Sequence, residues 1–148
     1  MSDWLEHSAQ VEVAVPIDQV WNLWSDLEQM PQWMKWIESV KIQEDEPTLS
    51  RWKLASGAFE FTWLSRVTKE IQHQIIQWES VDGLPNQGAI RFYDRKEEGS
   101  VVRLSVSYKI PGGIGGLMDN LFIGNLVEST LQQDLDRFKD YAEDRPES

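Results

Sequence analysis

Six runs of alternating polarity fill residues 38 to 110, and one long amphipathic stretch follows them. This order constrains the fold more than any other feature, because a period of two marks strands and a period near 3.6 marks helices. Candidate strands cover 38–45, 48–56, 58–68, 71–81, 87–95 and 100–110. In the third of these Phe59, Phe61, Trp63, Ser65 and Val67 face one way, with Glu60, Thr62 and Arg66 opposite. In the last, Val102, Leu104, Val106, Tyr108 and Ile110 alternate with Arg103, Ser105, Ser107 and Lys109. Turn residues separate the runs at Asp45-Glu46-Pro47, Ser56-Gly57, Asp82-Gly83, Pro85-Asn86 and Glu97-Glu98-Gly99. Strands joined by turns this short pair antiparallel.

A further strand is expected at 8–15, with Val11, Val13 and Val15 on one side. Pro16 then opens a helix carrying Ile17, Val20, Trp21 and Trp24, the two Trp acting as anchors. Ser25-Asp26 caps a second short helix in which Leu27, Met30, Trp33, Met34 and Ile37 recur at helical spacing, made irregular by Pro31. After Tyr108 the run Pro111-Gly112-Gly113-Ile114-Gly115-Gly116 breaks the strand pattern. A helix over 117–142 follows, with Leu117, Leu121, Val127, Leu131, Leu135, Phe138 and Ala142 on its apolar stripe. Asp134, Asp136, Lys139, Asp140 and Glu143 are assigned to its solvent side, and Gly124 implies a bend or close packing. Seven strands cannot stay flat against one helix. The expected architecture is α+β: a strongly curved, seven-stranded antiparallel sheet around a long C-terminal helix, with two short helices after the first strand. Residues 1–148 read as one domain, with 1–6 and 144–148 as flexible tails.

Composition removes several functions. The chain has no Cys, so disulfides, thiol nucleophiles and Cys-based metal sites are excluded. Its 25 acidic and 14 basic residues give a net charge of −11, which opposes nucleic acid and anionic membrane as partners. No targeting segment and no apolar run of about 18 residues is visible, so no integral membrane segment is expected and a cytoplasmic location is. The eight Trp must face either a core or a ligand.

A set of short motifs resembles a known family. They are Val15-Pro16-x₃-Val20-Trp21, Trp24-Ser25-Asp26-Leu27-Glu28-x-Met30-Pro31-x-Trp33-Met34, Trp63-x-Ser65-x-Val67, Ile76-x-Trp78-x-Ser80-x-x-Gly83, Gly88-x-Ile90-x-Phe92, Tyr108-x-Ile110-Pro111-Gly112-Gly113-x-Gly115 and Asp134-Leu135-x-Arg137-Phe138-Lys139. Their order resembles the helix-grip, START-like superfamily that includes the birch-pollen-allergen-like proteins. Within it the likeness is to the bacterial polyketide cyclase/dehydrase and lipid-transport group, which also contains coenzyme Q-binding START proteins. The resemblance implies a helix-grip fold and a ligand class of lipids, isoprenoid quinones, pigments or polyketides. It also places the glycine turn Gly112, Gly113, Gly115 and Gly116 at a cavity mouth, as a gate.

The remaining motifs point to binding rather than bond-making chemistry. The glycine turn lacks G-K-[ST], and Met118 stands where the third glycine of a dinucleotide fingerprint belongs. His7 and His73 have no metal spacing and read as surface residues, so no inward His is available to activate Ser65 or Ser80. Glu60, Glu79 and Glu44-Asp45-Glu46 read as solvated, and Asp134/Asp136 lacks a calcium loop. Tyr108 suits hydrogen-bond donation. The expected ligand-binding set is Met30, Trp33, Met34, Trp52, Phe61, Trp63, Ser65, Trp78, Ser80, Phe92, Tyr108, Leu117, Met118 and Leu121, on one concave face. Trp4 and Trp36 stay unassigned. A small hydrophobic ligand is the expected partner, with no cofactor and no metal, for a monomer or weak homodimer. Binding, extending to transport, ranks above an aromatic cyclase that shapes its substrate and above a chaperone-like interaction module.

Overall fold

The computed structural model describes residues 4–57, 59–109 and 120–145, with side chains in the last segment from residue 124 onward. Seven strands form one sheet: β1 (Leu5–Val13), β2 (Ile37–Ile42), β3 (Leu49–Ser56), β4 (Phe59–Ile71), β5 (Ile75–Gly83), β6 (Asn86–Asp94) and β7 (Ser100–Tyr108). Their spatial order is β1-β7-β6-β5-β4-β3-β2, antiparallel throughout. Helix α1 (Ile17–Ser25) and a 3₁₀ helix (Leu27–Gln32) carry the chain between the two sheet edges, β1 and β2. The long helix α2 (Asn120–Glu143) closes the structure, and its acidic end ties to β1 where Glu143 accepts the Ala14 N–H at 2.8 Å. The expected seven-stranded sheet and C-terminal helix are thus the fold.

Local physics sets the elements. Pro16 precedes α1, and its carbonyl accepts from Gln19 and Val20 at 3.1 Å. Pro31 keeps the second segment at 3₁₀ geometry, ending where Trp33 N–H donates to Met30 at 3.1 Å. Two β-bulges bend the β4–β5 pair, because Val81 is extra between Ser80 and Asp82 on β5 and Thr68 is extra between Val67 and Lys69 on β4. Bulges raise the local twist, which curls the sheet around α2.

Three expectations are corrected. The first strand begins at Leu5 rather than residue 8, because its ladder continues to the Leu5–Tyr108 pair, so part of the expected N-terminal tail is strand. β4 extends to Ile71, and the following turn places His73 at φ 66° with Gln74 N–H on the Ile71 carbonyl at 2.9 Å. A left-handed turn residue in place of Gly explains why no turn signal showed there, His being one of the residues that tolerate it. Asp134, assigned to solvent, is 3% exposed.

The space between sheet and helix divides in two. Toward the C-terminal half of α2 it is solid: Leu135, Phe138 and Ala142 are fully buried. Phe138 lies edge-on to Trp24 and Trp33, ring centroids 5.0 Å away in each case, and Trp33 also meets Tyr141 at 5.2 Å. Burying side chains this large contributes about 1.5–3 kcal/mol each. Toward the other half the walls stay apart.

Candidate functional site

An apolar cavity of about 240 Å³ lies between the inner face of the sheet and α2. The inward residues of β4 build its floor: Phe59, Phe61, Trp63, Ser65 and Val67 all line it. They do so because a period of two sends every second side chain to one face. Trp52 on β3 stacks on its cross-strand partner Trp63, centroids 5.9 Å apart and planes 11° apart, giving a flat indole wall. The Trp52 ring is held by its Nε1–H donating to Ser50 at 2.8 Å. Trp78 on β5 lines the cavity and donates to Asn86 Oδ1 at 3.1 Å. Asn86 in turn donates from Nδ2 to the Leu84 carbonyl at 2.9 Å, which fixes the β5–β6 turn.

Of the expected binding set, Met30, Met34, Trp52, Phe61, Trp63, Ser65, Trp78 and Tyr108 stand in the cavity wall. Three others do not. Trp33 is 1% exposed inside the Trp24–Phe138–Tyr141 cluster, where helical packing absorbs it. Ser80 shares the Ser65 register, but its hydroxyl accepts the Asn86 backbone N–H at 3.0 Å and serves the turn. Phe92 packs edge-on against Trp21 at 5.1 Å, beneath α1. Gly112, Gly113, Gly115, Gly116, Leu117 and Met118 lie outside the described residues, as does the side chain of Leu121. Sequence reasoning missed Trp36, Asn86, Thr130 and Asp134, all in the wall. Thr130 and Asp134 were legible, since they continue the Val127–Leu131–Leu135–Phe138 stripe at spacings of three and four.

Few polar groups interrupt the wall. Ser65 is buried, and no hydrogen bond joins its hydroxyl to another described residue. Asp134 Oδ1 accepts from the Lys35 backbone N–H at 3.1 Å and from Arg137 Nη2. Arg137 is itself oriented by donating from Nε to the Trp33 carbonyl at 2.9 Å. Burial raises the Asp134 carboxyl above its ordinary value, against the opposing pull of the Lys35 N–H and the guanidinium. The folded chain therefore holds this proton more tightly than the unfolded one. That contribution to stability is present at low pH and falls as pH rises through the raised value. Asp134→Asn should remove this falling component. Urea unfolding between pH 4 and 7 should show the variant gaining on the wild type as pH rises, and a constant difference would contradict it.

His7 departs from its expected surface position. It shares the inward phase of Ala9, Val11 and Val13 and pairs across the ladder with Val106. Its Nε2 lies 3.1 Å from the Tyr108 hydroxyl, the two rings stack at 5.7 Å, and Gly124 of α2 passes over its edge. Burial pushes the Tyr108 phenol up to about 12, so it stays protonated at neutral pH. Among the described residues no cluster of three or more His, Cys, Asp or Glu side chains is arranged to hold a metal ion. No helix among them is long and apolar enough to cross a membrane.

A curled sheet gripping one helix around an apolar cavity defines a START-like, helix-grip domain. Comparison with known proteins gives the same class. The chain belongs to the polyketide cyclase / dehydrase and lipid transport family, whose model matches residues 13–139. An uncharacterized 17.2 kDa protein of Streptomyces lincolnensis is 26% identical over 136 residues, covering 91% of this chain and 87% of that one. The Zhui aromatase/cyclase of a Streptomyces species superposes with a TM-score of 0.77 at 20% identity, over 95% of this chain and 94% of its own. A START superfamily protein of Mycobacterium smegmatis superposes with a TM-score of 0.75 at 17% identity, over 93% and 97% of the two chains.

Proposed function

We propose that this protein reversibly binds a small hydrophobic or amphipathic molecule with a flat body, of the lipid, isoprenoid quinone, pigment or polyketide kind. The observation that carries this reading is the 240 Å³ cavity walled by the stacked Trp52–Trp63 pair. An apolar cavity of about 150 Å³ accommodates benzene, so this one has room for a bicyclic ring system or an equivalent stretch of acyl chain. Apolar area removed from water supplies about 25 cal/mol per Å², and the indole faces add stacking. Ser65 and Tyr108 supply the few polar contacts that fix orientation in such sites. The family, and the presence of an aromatase/cyclase among the neighbours in fold, support the same class of ligand.

The test is direct. Organic extracts of the purified protein are analysed by mass spectrometry. Short-chain quinones and naphthols are then titrated while Trp emission is followed. Saturable quenching is expected, abolished by Val106→Trp, which projects a large ring from β7 into the cavity. Empty extracts together with unchanged emission across the panel would overturn the reading. Turnover of a poly-β-keto probe, lost in Tyr108→Phe, would instead place the protein among the cyclases, which act largely by holding a reactive chain in shape.

A further inference from the structure

The cavity has one polar corner with a connection to the surface. Tyr108 stands in the cavity wall, yet its hydroxyl touches His7 Nε2 at 3.1 Å. His7 in turn borders a second, solvent-facing recess with Glu6, Ser8, Asn125 and Glu128. It is half-buried, and β1 is an edge strand, so no further strand among the described residues covers it. Among the described residues the groups around it are few. From β7 come Val106 and Tyr108, from β1 Glu6 and Ser8, and from α2 Gly124, Asn125 and Glu128. Glu6 and Glu128 are the charged ones among the described residues.

A phenol hydroxyl has one proton, and the imidazole decides where it points. A neutral His7 with a free Nε2 accepts a hydrogen bond from the Tyr108 hydroxyl, which leaves only the phenol oxygen, an acceptor, for the cavity. A protonated His7 has N–H on both nitrogens and can only donate to Tyr108. The phenol proton is then released toward the cavity as a donor. We propose that His7 is a positioning residue that acts through Tyr108 to sort ligands by the hydrogen-bonding character of their polar end, favouring acceptor-ended ligands when it is protonated. The inference rests on the ligand-binding reading above and adds to it a specificity device with a pH range. Imidazole is the side chain whose charge mild acid changes, which sets the range of the test below. Linkage makes the effect reciprocal: an acceptor-ended ligand in the cavity raises proton affinity at His7.

Two bicyclic probes of similar size separate the outcomes. 1-Indanone offers only an acceptor and indole only a donor, and neither changes charge between pH 5 and 8. Their dissociation constants are measured by equilibrium dialysis for the wild type, His7→Gln and Tyr108→Phe. In the wild type the preference for indanone over indole should rise about 25-fold from pH 8 to pH 5, about fivefold for the hydrogen bond indanone gains and about fivefold for the one indole loses. Both variants should bind with a flat ratio, their fold checked by circular dichroism. Measurable binding with a pH-independent ratio in the wild type would overturn the inference and leave the ligand-binding reading standing. A pH-dependent ratio that persists in His7→Gln would also overturn it, because the titration would then belong to another group. Failure of both probes to bind at any pH would overturn the ligand-binding reading and the inference with it.

Discussion

Phe138→Ala should cost about 3–5 kcal/mol and lower the thermal midpoint by on the order of 10–15 °C. Phe138 has no exposed surface and holds the edges of Trp24 and Trp33 at once. Alanine would leave a void between two indole rings that are too rigid to close it, because each is also fixed elsewhere. Trp24 borders the apolar cavity, and the Trp33 backbone carbonyl orients Arg137 beside Asp134. The void would therefore loosen one wall of the cavity as well as the core. Differential scanning calorimetry checks the stability. A midpoint within about 3 °C of wild type, equivalent to roughly 1 kcal/mol for a chain of this size, would show that the cluster collapses freely.

Gly88→Ala should be nearly as damaging, through backbone rather than volume. A Cβ at this position would lie 2.2 Å from the Ser105 carbonyl oxygen and 2.7 Å from the Trp78 ring. Gly88 pairs with Trp78 on one side and Val106 on the other, so the methyl has no direction in which to yield without parting β6 from a neighbour. The expected loss is about 3 kcal/mol, the upper end for an overpacked site. The indole would be lifted from its seat and lose the bond to Asn86. Trp emission and the indole N–H resonance of Trp78 report that displacement directly. An unchanged indole signal with wild-type stability would show that the sheet relaxes around the methyl group.

Much of this architecture is legible in the residue pattern alone. Alternation along 59–67 and 102–108 places the inward faces of β4 and β7 because each faces apolar space on one side and water on the other. Periodicity cannot tell a cavity wall from a filled core, since both demand the same side chains. Trp33 by helical spacing and Trp63 by alternation both read as inward aromatics, and only the packing of α2 decides that one is enclosed and the other borders open space. Polar residues escape the pattern for a related reason. His7 keeps the phase of Val11 and Val13, but an edge strand with a short apolar run hides its own beginning. Asp134 has the character of a solvent residue, and only Arg137 and the Lys35 N–H, brought to it by the fold, compensate its burial. Ser80 fails in the opposite sense: its face is right, but its hydroxyl is occupied by a turn.

The pairing of β1 with β7 has a consequence for biosynthesis. From β3 onward each strand pairs with the one made just before it, whereas β1 waits for a partner about a hundred residues downstream. At translation rates of about 5–20 residues per second, that delay is on the order of 5–20 s. Throughout it Ala9, Val11 and Val13 are an unpaired apolar edge on a nascent chain. The meander from β2 to β6 can assemble on the ribosome in the order it emerges. Enclosure of the cavity, by contrast, awaits the final third of the chain. A nonpolar molecule present during synthesis would thus meet an open half-barrel before it meets a closed one.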